Sequence, residues 1–356
     1  CRTSKDVVIV CKEEQSFHQK IPSHSPVGLA MEGPLLREVC ALYDQISSLA
    51  SLKPSKNVDT LFTQLVLTCS PPAPGLDIAS LPQPLQAMRA HLIRLCATAE
   101  ALLEVHFSSI LASFENPIHN LSIFPYYSNY LKLSLLEFDI LISHCRRVPS
   151  SIAFVGSGPL PLSSIVMAST HLKGTIFHNF DIDPAANSMA RRLIRSDSDL
   201  SKRMVFHTAD VMEVTKAFGE YEVVFLAALV GLEEEEKGRV LRHLGKHMAP
   251  GAYLMLRSAH GARAFLYPVV DVSDIEASGF EILSVFHPTD EVINSVVIAR
   301  KVSDLVLDNN NYNDNNTDDE KRGVLVNTPI ILAEKCSGFK DFGPMIDELG
   351  IEEQLS

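Results

Sequence analysis

The second half of the chain alternates short, almost purely apolar runs with amphipathic segments, and this alternation restricts the possible folds more than any other feature. The runs are SIAFVG, TIFHNFD, MVFHTAD, YEVVFLAAL, AYLMLRS, FEILSVF and SVVIAR. Near-continuous Val, Ile, Leu and Phe is typical of strands buried on both faces of a parallel sheet. The last two runs leave no room for a helix between them, which indicates an antiparallel end. The pattern predicts an α/β fold over residues 151–302, a doubly wound, seven-stranded Rossmann-like sheet.

The preceding residues, 31–150, predict an N-terminal all-helical domain. Apolar residues recur at helical spacing in LLREVCALYDQISSL, and Asp59 is the expected N-cap of a helix over DTLFTQLVLTC. A long helix over residues 86–111 presents one apolar face, formed by Leu92, Leu95, Ala99, Leu103, His106 and Ile110. A last helix, YSNYLKLSLLEFDILISHC, is expected to end before Pro149.

The two ends of the chain differ from both halves. Residues 1–30 are expected to be a disordered leader, or to lie outside the mature protein, because the first convincing helical pattern opens at Met31. Residues 303–356 form a tail that begins with the polar, low-complexity stretch LDNNNYNDNNTDDEKRG, which predicts disorder.

Charge and cysteine usage exclude several classes of protein. The net charge of −12 over 356 residues argues against a nucleic-acid binder, which usually carries a basic face. No apolar stretch reaches the roughly 18 residues of a transmembrane helix, and no signal peptide is recognisable. Seven cysteines without a CxxC spacing fit a reducing compartment, so a cytoplasmic location is expected. The oligomeric state is not determined by the sequence.

Two glycines directly after the first predicted strand indicate a ligand site. In SIAFVGSGPLP, Gly156 and Gly158 allow a tight turn that brings bare backbone against a ligand. A dinucleotide site normally has a third glycine, and Pro161 occupies its place here. The absent glycine disfavours NAD and favours S-adenosylmethionine, a ligand without phosphates.

Acidic residues at the ends of the next two strands support a nucleoside ligand. Asp181 follows the glycines at the distance expected of an acid that accepts hydrogen bonds from ribose hydroxyls, whereas Asp183 resembles the N-cap of the next helix. Asp210 ends the third strand, where a carboxylate is suited to the adenine amino group. The segment HLGKHMAPGAYLML is similar to the helix, Pro-Gly turn and fifth strand of class I S-adenosylmethionine-dependent enzymes.

Candidates for acid–base chemistry lie in the helical half. Successive rotations of about 100° per residue place Glu100 and Glu104 at the edge of the apolar stripe of the long helix, either as partly buried bases or as exposed edge carboxylates. Tyr126 and Tyr130 in FPYYSNY either orient a substrate or pack helices. His243 and His247 have the spacing of zinc ligands but lack a third ligand, so no metal site is predicted.

Several long motifs resemble nicotianamine synthases of plants. They are SLKPSKNVDTLFTQLV, FPYYSNYLKL, AFVGSGPLPLSSIV, FHNFDIDPAAN, DLSKRMVFHTADV, VVFLAALVG, HMAPGAYLMLRSAHGARAFLYP and HPTDEVINSVVIARK. The similarity runs from about Met31 to Val302. The resemblance implies condensation of three S-adenosylmethionine molecules into nicotianamine with release of three methylthioadenosines. It implies aminocarboxypropyl transfer, a product that chelates iron and other metals, and no cofactor beyond the substrate itself.

The resemblance also implies roles for individual residues. Gly156, Gly158, Asp181 and Asp210 are expected to hold the nucleoside, with the backbone of Phe225, Leu226 and Ala227 lining the site. The family uses a glutamate and a tyrosine of the helical domain, placed here at Glu104 and Tyr130 with Glu100 and Tyr126 as alternatives. Arg257 is the candidate for binding a substrate carboxylate.

Two other functions remain open at this stage. A small-molecule methyltransferase would account for the sheet and the ligand, but not for the detailed match in the helical half. An inactive S-adenosylmethionine-binding relative would bind the ligand without turnover.

Overall fold

A computed structural model describes residues 33–71, 73 and 76–303. The predicted leader and most of the predicted tail lie outside the described residues. The helices and strands over the described part, in chain order, are α1 Pro34–Ser47, α2 Lys56–Cys69, α3 Gln83–Leu111, α4 Tyr127–His144, β1 Ser151–Val155, α5 Leu162–Val166, β2 Ile176–Asp181, α6 Pro184–Ile194, α7 Leu200–Arg203, β3 Met204–Thr208, β4 Val223–Leu226, α8 Glu234–His247, β5 Tyr253–Ser258, α9 Val272–Ala277, β6 Phe280–Phe286 and β7 Ser295–Lys301.

All seven predicted strands form one sheet in the order β3-β2-β1-β4-β5-β7-β6. The pairings among β1 to β5 are parallel, and β7 is antiparallel to both β5 and β6. The prediction of a doubly wound sheet with an antiparallel end is confirmed. Because strand order reverses on either side of β1, the carboxyl ends of β1 and β4 border a crevice, the usual ligand position in this fold.

Side chains of each strand alternate between two cores. Ile152 and Phe154 face a core shared with α4, α5 and α6, whereas Ala153 and Val155 face a core shared with α8 and α9. Burial on both faces explains why the strand sequences are continuously apolar. Phe154 also stacks on Phe225 of the neighbouring strand, with ring centroids 5.6 Å apart.

The N-terminal helices are joined to the sheet by a third core. Leu42, Leu65 and Leu92 from α1, α2 and α3 pack with Phe265 and Leu266, which follow β5. This core fixes α3 above the sheet, with one end near the carboxyl ends of the strands.

Two local predictions in the helical half were wrong. The N-cap of α2 is Ser55, whose side chain accepts the amide of Val58, and Asp59 lies within the first turn. His106 is exposed rather than on the buried face of α3, because the helix buries Ser108 and Leu111 against the sheet half instead.

Gly245 in α8 provides a test of the packing between α8 and α9. A methyl group at this position would overlap the carbonyl oxygen of Ser278, which ends α9. We expect Gly245→Ala to lower the free energy of unfolding by about 1–3 kcal/mol in urea denaturation, despite the better helix propensity of alanine. Gly174→Ala, where the added methyl meets open space, is the control and should change stability little. Equal stability of both variants would contradict the packing described.

Candidate active site

A cavity of about 790 Å³ opens at the carboxyl ends of the strands, beneath α3. This volume lies within the range of small-molecule sites. Nine of the twelve residues to which the resemblance gives a role line it: Glu100, Glu104, Tyr130, Gly156, Gly158, Asp181, Asp210, Ala227 and Arg257. Long-range folding therefore brings the glycine turn, the strand-end acids and the helical carboxylates into one space.

The glycine turn forms one wall and is held by Asp181. Gly156 and Gly158 have φ angles of +80° and +68°, which favour glycine. Oδ2 of Asp181 accepts a hydrogen bond from the amide of Gly158 at 2.8 Å, and Oδ1 accepts one from the amide of Asp183 at 2.9 Å. The Asp183 side chain caps α6 through the amide of Ala185, so this prediction is confirmed.

The ends of β3 and β4 form the opposite wall. Asp210 lines the cavity while its Oδ1 accepts the amide of Met212 at 2.9 Å. The lining backbone after β4 begins at Ala227 and continues to Gly231. Phe225 and Leu226, whose backbone was expected to line the site, do not border the cavity. Both lie inside β4, with their side chains buried in the two cores of the sheet.

Glu100 of α3 is held by two tyrosines. Its Oε2 accepts a hydrogen bond from Tyr267 Oη at 3.1 Å, and its Oε1 lies 3.5 Å from Tyr130 Oη. Burial raises the pKa of Glu100, while the two hydroxyls and Arg257 oppose that shift. Burial and the nearby carboxylate also raise the pKa of both phenols, which remain protonated donors near neutral pH.

Glu104, one turn further along α3, lies directly against the glycine turn. A Cβ added to Gly158 would lie 2.7 Å from its Oε2. Burial is the main reason that the pKa of Glu104 is raised well above its usual value, and Glu100 and Asp181 add to the shift. Glu104 makes no hydrogen bond within the described part of the chain, so its carboxyl group is available to a ligand.

Arg257 at the end of β5 forms a buried ion pair with Glu137 of α4. Its Nε and Nη2 donate to the two carboxylate oxygens at 2.7 and 3.0 Å, and Nη2 also donates to Ser163 Oγ at 2.6 Å. The pair joins α4 to β5 and α5. These hydrogen bonds involve only Nε and Nη2 of the guanidinium, and Arg257 also lines the cavity.

Sequence reasoning missed Tyr267 and Lys237 and offered Tyr126, which the structure places elsewhere. Tyr267 comes into the site because the residues after β5 dock among α1, α2 and α3. Tyr126 does not line the cavity and packs on Phe124 instead, with ring centroids 5.9 Å apart. Tyr267 is part of the motif SAHGARAFLYP, but the sequence did not indicate its contact with Glu100, which lies 167 residues away.

Lys237 supports the loop after β4 from below. Its Nζ donates to the carbonyl oxygen of Ala228 at 2.9 Å and lies 3.5 Å from that of Ala227. The side chain is buried and has no carboxylate partner among the described residues, and burial lowers its pKa to about 7. The loop that it supports closes on the glycine turn, where a methyl group on Gly156 would overlap Val230.

The two histidines of α8 are engaged in packing. His243 lies 2.6 Å from the carbonyl oxygen of Val214, and the His243 and His247 rings have centroids 4.5 Å apart. Within residues 33–71, 73 and 76–303, no group of three or more His, Cys, Asp or Glu side chains has the arrangement of a metal site. In the same residues, no helix combines the length and apolarity needed to cross a bilayer.

Two solved structures share the fold described above, a helical half followed by a doubly wound sheet. MtNAS in complex with S-adenosylmethionine, a glutamate-to-glutamine variant, superposes with a TM-score of 0.62 at 21% identity, over 75% of this chain and 98% of that one. MtNAS in complex with MTA and tNA gives 0.62 at 22% identity, over 76% and 97% of the two chains.

Sequence comparison gives the family. A family model described as nicotianamine synthase protein matches residues 30–306. Nicotianamine synthase of Solanum lycopersicum is 61% identical over 76% of this chain and 84% of its own length. Probable nicotianamine synthase 4 of Arabidopsis thaliana is 59% identical over 78% and 86%. The chain belongs to the nicotianamine synthase family, which confirms the predicted transferase activity.

Lys237 yields a prediction about pH. Its pKa in the folded protein lies below the unfolded value of about 10.4, so the unfolded state binds more protons between roughly pH 7 and pH 10. The free energy of unfolding should therefore rise with pH across this window, by up to about 1.4 kcal/mol per unit. Relative to wild type, Lys237→Met should lose this rise in urea denaturation at pH 7, 8 and 9.

Lys246→Met is the matched control for this experiment, since Lys246 is exposed on the same helix. It should keep the pH dependence of the wild type. An unaltered slope in Lys237→Met would show that Lys237 is charged in the folded protein throughout the window.

Proposed function

We propose that this cavity carries out the successive aminocarboxypropyl transfers of nicotianamine synthesis, with Glu104 as the general base. One observation carries the proposal. The carboxyl group of Glu104 comes from the helical half, has no protein partner within the described residues, and lies against Gly158 of the nucleoside turn. A base in that position is next to the methionine moiety of a bound S-adenosylmethionine.

The reaction needs a neutral amine. Glu104 takes a proton from the ammonium group of the acceptor, and the freed amine attacks the γ-carbon of the donor's methionine moiety. The new C–N bond forms as the bond between that carbon and sulfur breaks. The bonding electrons pass to sulfur, so the sulfonium leaves as the neutral thioether methylthioadenosine.

The raised pKa of Glu104 suits this task, because a base is most effective when its pKa lies near the working pH. Glu100 has a different role. Tyr130 and Tyr267 hold its carboxylate. We propose that this carboxylate orients the cationic acceptor, and that the two tyrosines position the carboxylate and the acceptor. α3 and the tyrosines cover the site, which excludes water that would compete with the amine.

The rest of the cavity supports a nucleoside. In this proposal, Asp181 accepts hydrogen bonds from the ribose hydroxyls, and Asp210 binds the adenine amino group. Gly156 and Gly158 let the ligand approach the backbone. Arg257 binds a substrate carboxylate.

We further propose a cytoplasmic location and no cofactor beyond S-adenosylmethionine. The free thiols of Cys69 and Cys96 are buried, and burial raises the pKa of Cys69 to about 12, so these cysteines serve packing. Their placement supports a reducing compartment. Fractionation with an antibody to the protein tests the location.

Product analysis tests the function directly. The purified protein is incubated with S-adenosylmethionine alone and analysed by mass spectrometry. Nicotianamine and methylthioadenosine in a ratio of one to three are the expected products. S-adenosylhomocysteine together with a methylated acceptor would point to a methyltransferase, and ligand binding without product would point to an inactive relative.

Glu104→Gln tests the base. The amide keeps the shape of the side chain but does not accept the proton, so kcat should fall by about 10²–10⁴-fold with ligand affinity nearly unchanged. In the wild type, kcat/KM should fall as pH drops through the raised pKa of Glu104, because the protonated carboxyl is inactive. Glu115→Gln, at an exposed site after α3, is the control. A fully active Glu104→Gln enzyme would refute the assignment.

Asp181→Ala tests the nucleoside site. Loss of the ribose acceptor should weaken methylthioadenosine binding in calorimetry by about 1–3 kcal/mol. Asp271→Ala is the control, because Asp271 caps α9 and does not line the cavity. That variant should lose stability without losing affinity. Unchanged affinity in Asp181→Ala would remove Asp181 from the site.

A further inference from the structure

We propose that Asn294 and Arg257 together form the subsite for the α-carboxylate of the nucleoside-bound methionine moiety. This inference rests on the proposed function, and it adds a residue that neither the sequence motifs nor the acid–base chemistry singled out. Asn294 lies immediately before β7 and lines the same cavity as Glu100 and Glu104.

Asn294 is a buried polar side chain without a partner. The residue is 7% exposed, and its terminal nitrogen is sealed from solvent and makes no hydrogen bond within the described residues. Buried amide groups in folded proteins are almost always hydrogen-bonded, since an unpaired donor is unfavourable. Because Asn294 lines the cavity, a small rotation of its amide turns this nitrogen toward a ligand group that completes its hydrogen bonds.

The sheet register places Asn294 beside Arg257. Arg257 pairs with Val296 across β5 and β7, so these two side chains share a face. Asn294 precedes Val296 by two residues and therefore lies on that face as well. Diagonal neighbours across antiparallel strands are roughly 7–8 Å apart, a span that one carboxylate can bridge.

Arg257 needs a second donor to bind a carboxylate. Glu137 neutralises its charge and occupies Nε and Nη2, which leaves Nη1 without a hydrogen bond in the described part of the chain. One neutralised donor binds a carboxylate weakly. The amide of Asn294 supplies the second donor without adding charge. Glu100 and Glu104 remain for the ammonium group of the acceptor.

The loop that carries Asn294 is firmly anchored. Arg263 donates to the carbonyl oxygens of Pro288 and Val292 at 2.5 and 2.7 Å. Asn129 of α4 donates to the carbonyl oxygen of Glu291 at 2.7 Å. These bonds hold the backbone just before Asn294, so its side chain is positioned before a ligand arrives.

Two ligands that do not turn over separate the subsite from the rest of the cavity. S-adenosylhomocysteine carries the α-carboxylate, whereas methylthioadenosine lacks the amino acid part. Calorimetry on the full chain measures both affinities for wild type, Asn294→Ala and Asn294→Asp. Asn294→Ala should weaken S-adenosylhomocysteine about 5–20-fold, and Asn294→Asp more than 30-fold because a carboxylate then faces a carboxylate. Methylthioadenosine should change less than twofold.

A matched variant tests whether removal of any buried, unpaired polar group changes ligand affinity. Ser134 in α4 also has a buried, unpartnered hydroxyl, but it does not line the cavity. Ser134→Ala should leave both affinities unchanged.

Equal weakening of the two ligands by the Asn294 variants would mean that Asn294 only supports the fold, and it would overturn the proposal. Unchanged affinity for S-adenosylhomocysteine would overturn it as well. The outcome is separate from that of the activity assay. Selective loss of S-adenosylhomocysteine in a protein that makes no nicotianamine would uphold the subsite and reject the proposed function.

Discussion

The turn after β1 has no space for a side chain on either glycine, and the site depends on that close approach. Gly156 meets Val230 of the loop after β4, and Gly158 meets the carboxyl group of Glu104 from α3. Asp181 fixes the same turn from the neighbouring strand. Three distant segments therefore converge on three residues of backbone, Gly156 to Gly158. In the proposed site, a nucleoside held by this turn lies within reach of Glu104, a carboxyl group that the sheet itself does not contain.

Buried charge is concentrated at the junction of the two halves. Arg257 and Glu137 neutralise each other, while no described cation lies within hydrogen-bonding distance of Glu100 or Glu104. Burial therefore disfavours the charged form of both carboxyl groups and raises their pKa. A cationic amine is suited to such a site, since it supplies the missing charge and, in the proposed reaction, delivers the proton that Glu104 accepts.

The helical half supplies most of the side chains that the proposed reaction uses. α3 presents Glu100 and Glu104 one turn apart, so both carboxyl groups point toward the same cavity. α4 contributes Tyr130 and the Glu137 partner of Arg257. The segment after β5 adds Tyr267 by docking into the helical core. This arrangement distinguishes the site from one that a sheet with strand-end acids builds alone, and it suits attack by an amine.

The sequence by itself determined the sheet, its antiparallel end and the glycine turn, because buried strands and tight turns impose local residue patterns. It also indicated Asp181, Asp183, Glu100 and Glu104 by spacing, and long motifs gave the family. Tertiary structure alone decided that Tyr267 contacts Glu100 and that Asn294 lines the cavity beside Arg257. Those facts depend on segments up to 167 residues apart, and pairing at such separations leaves no periodic signal in the chain.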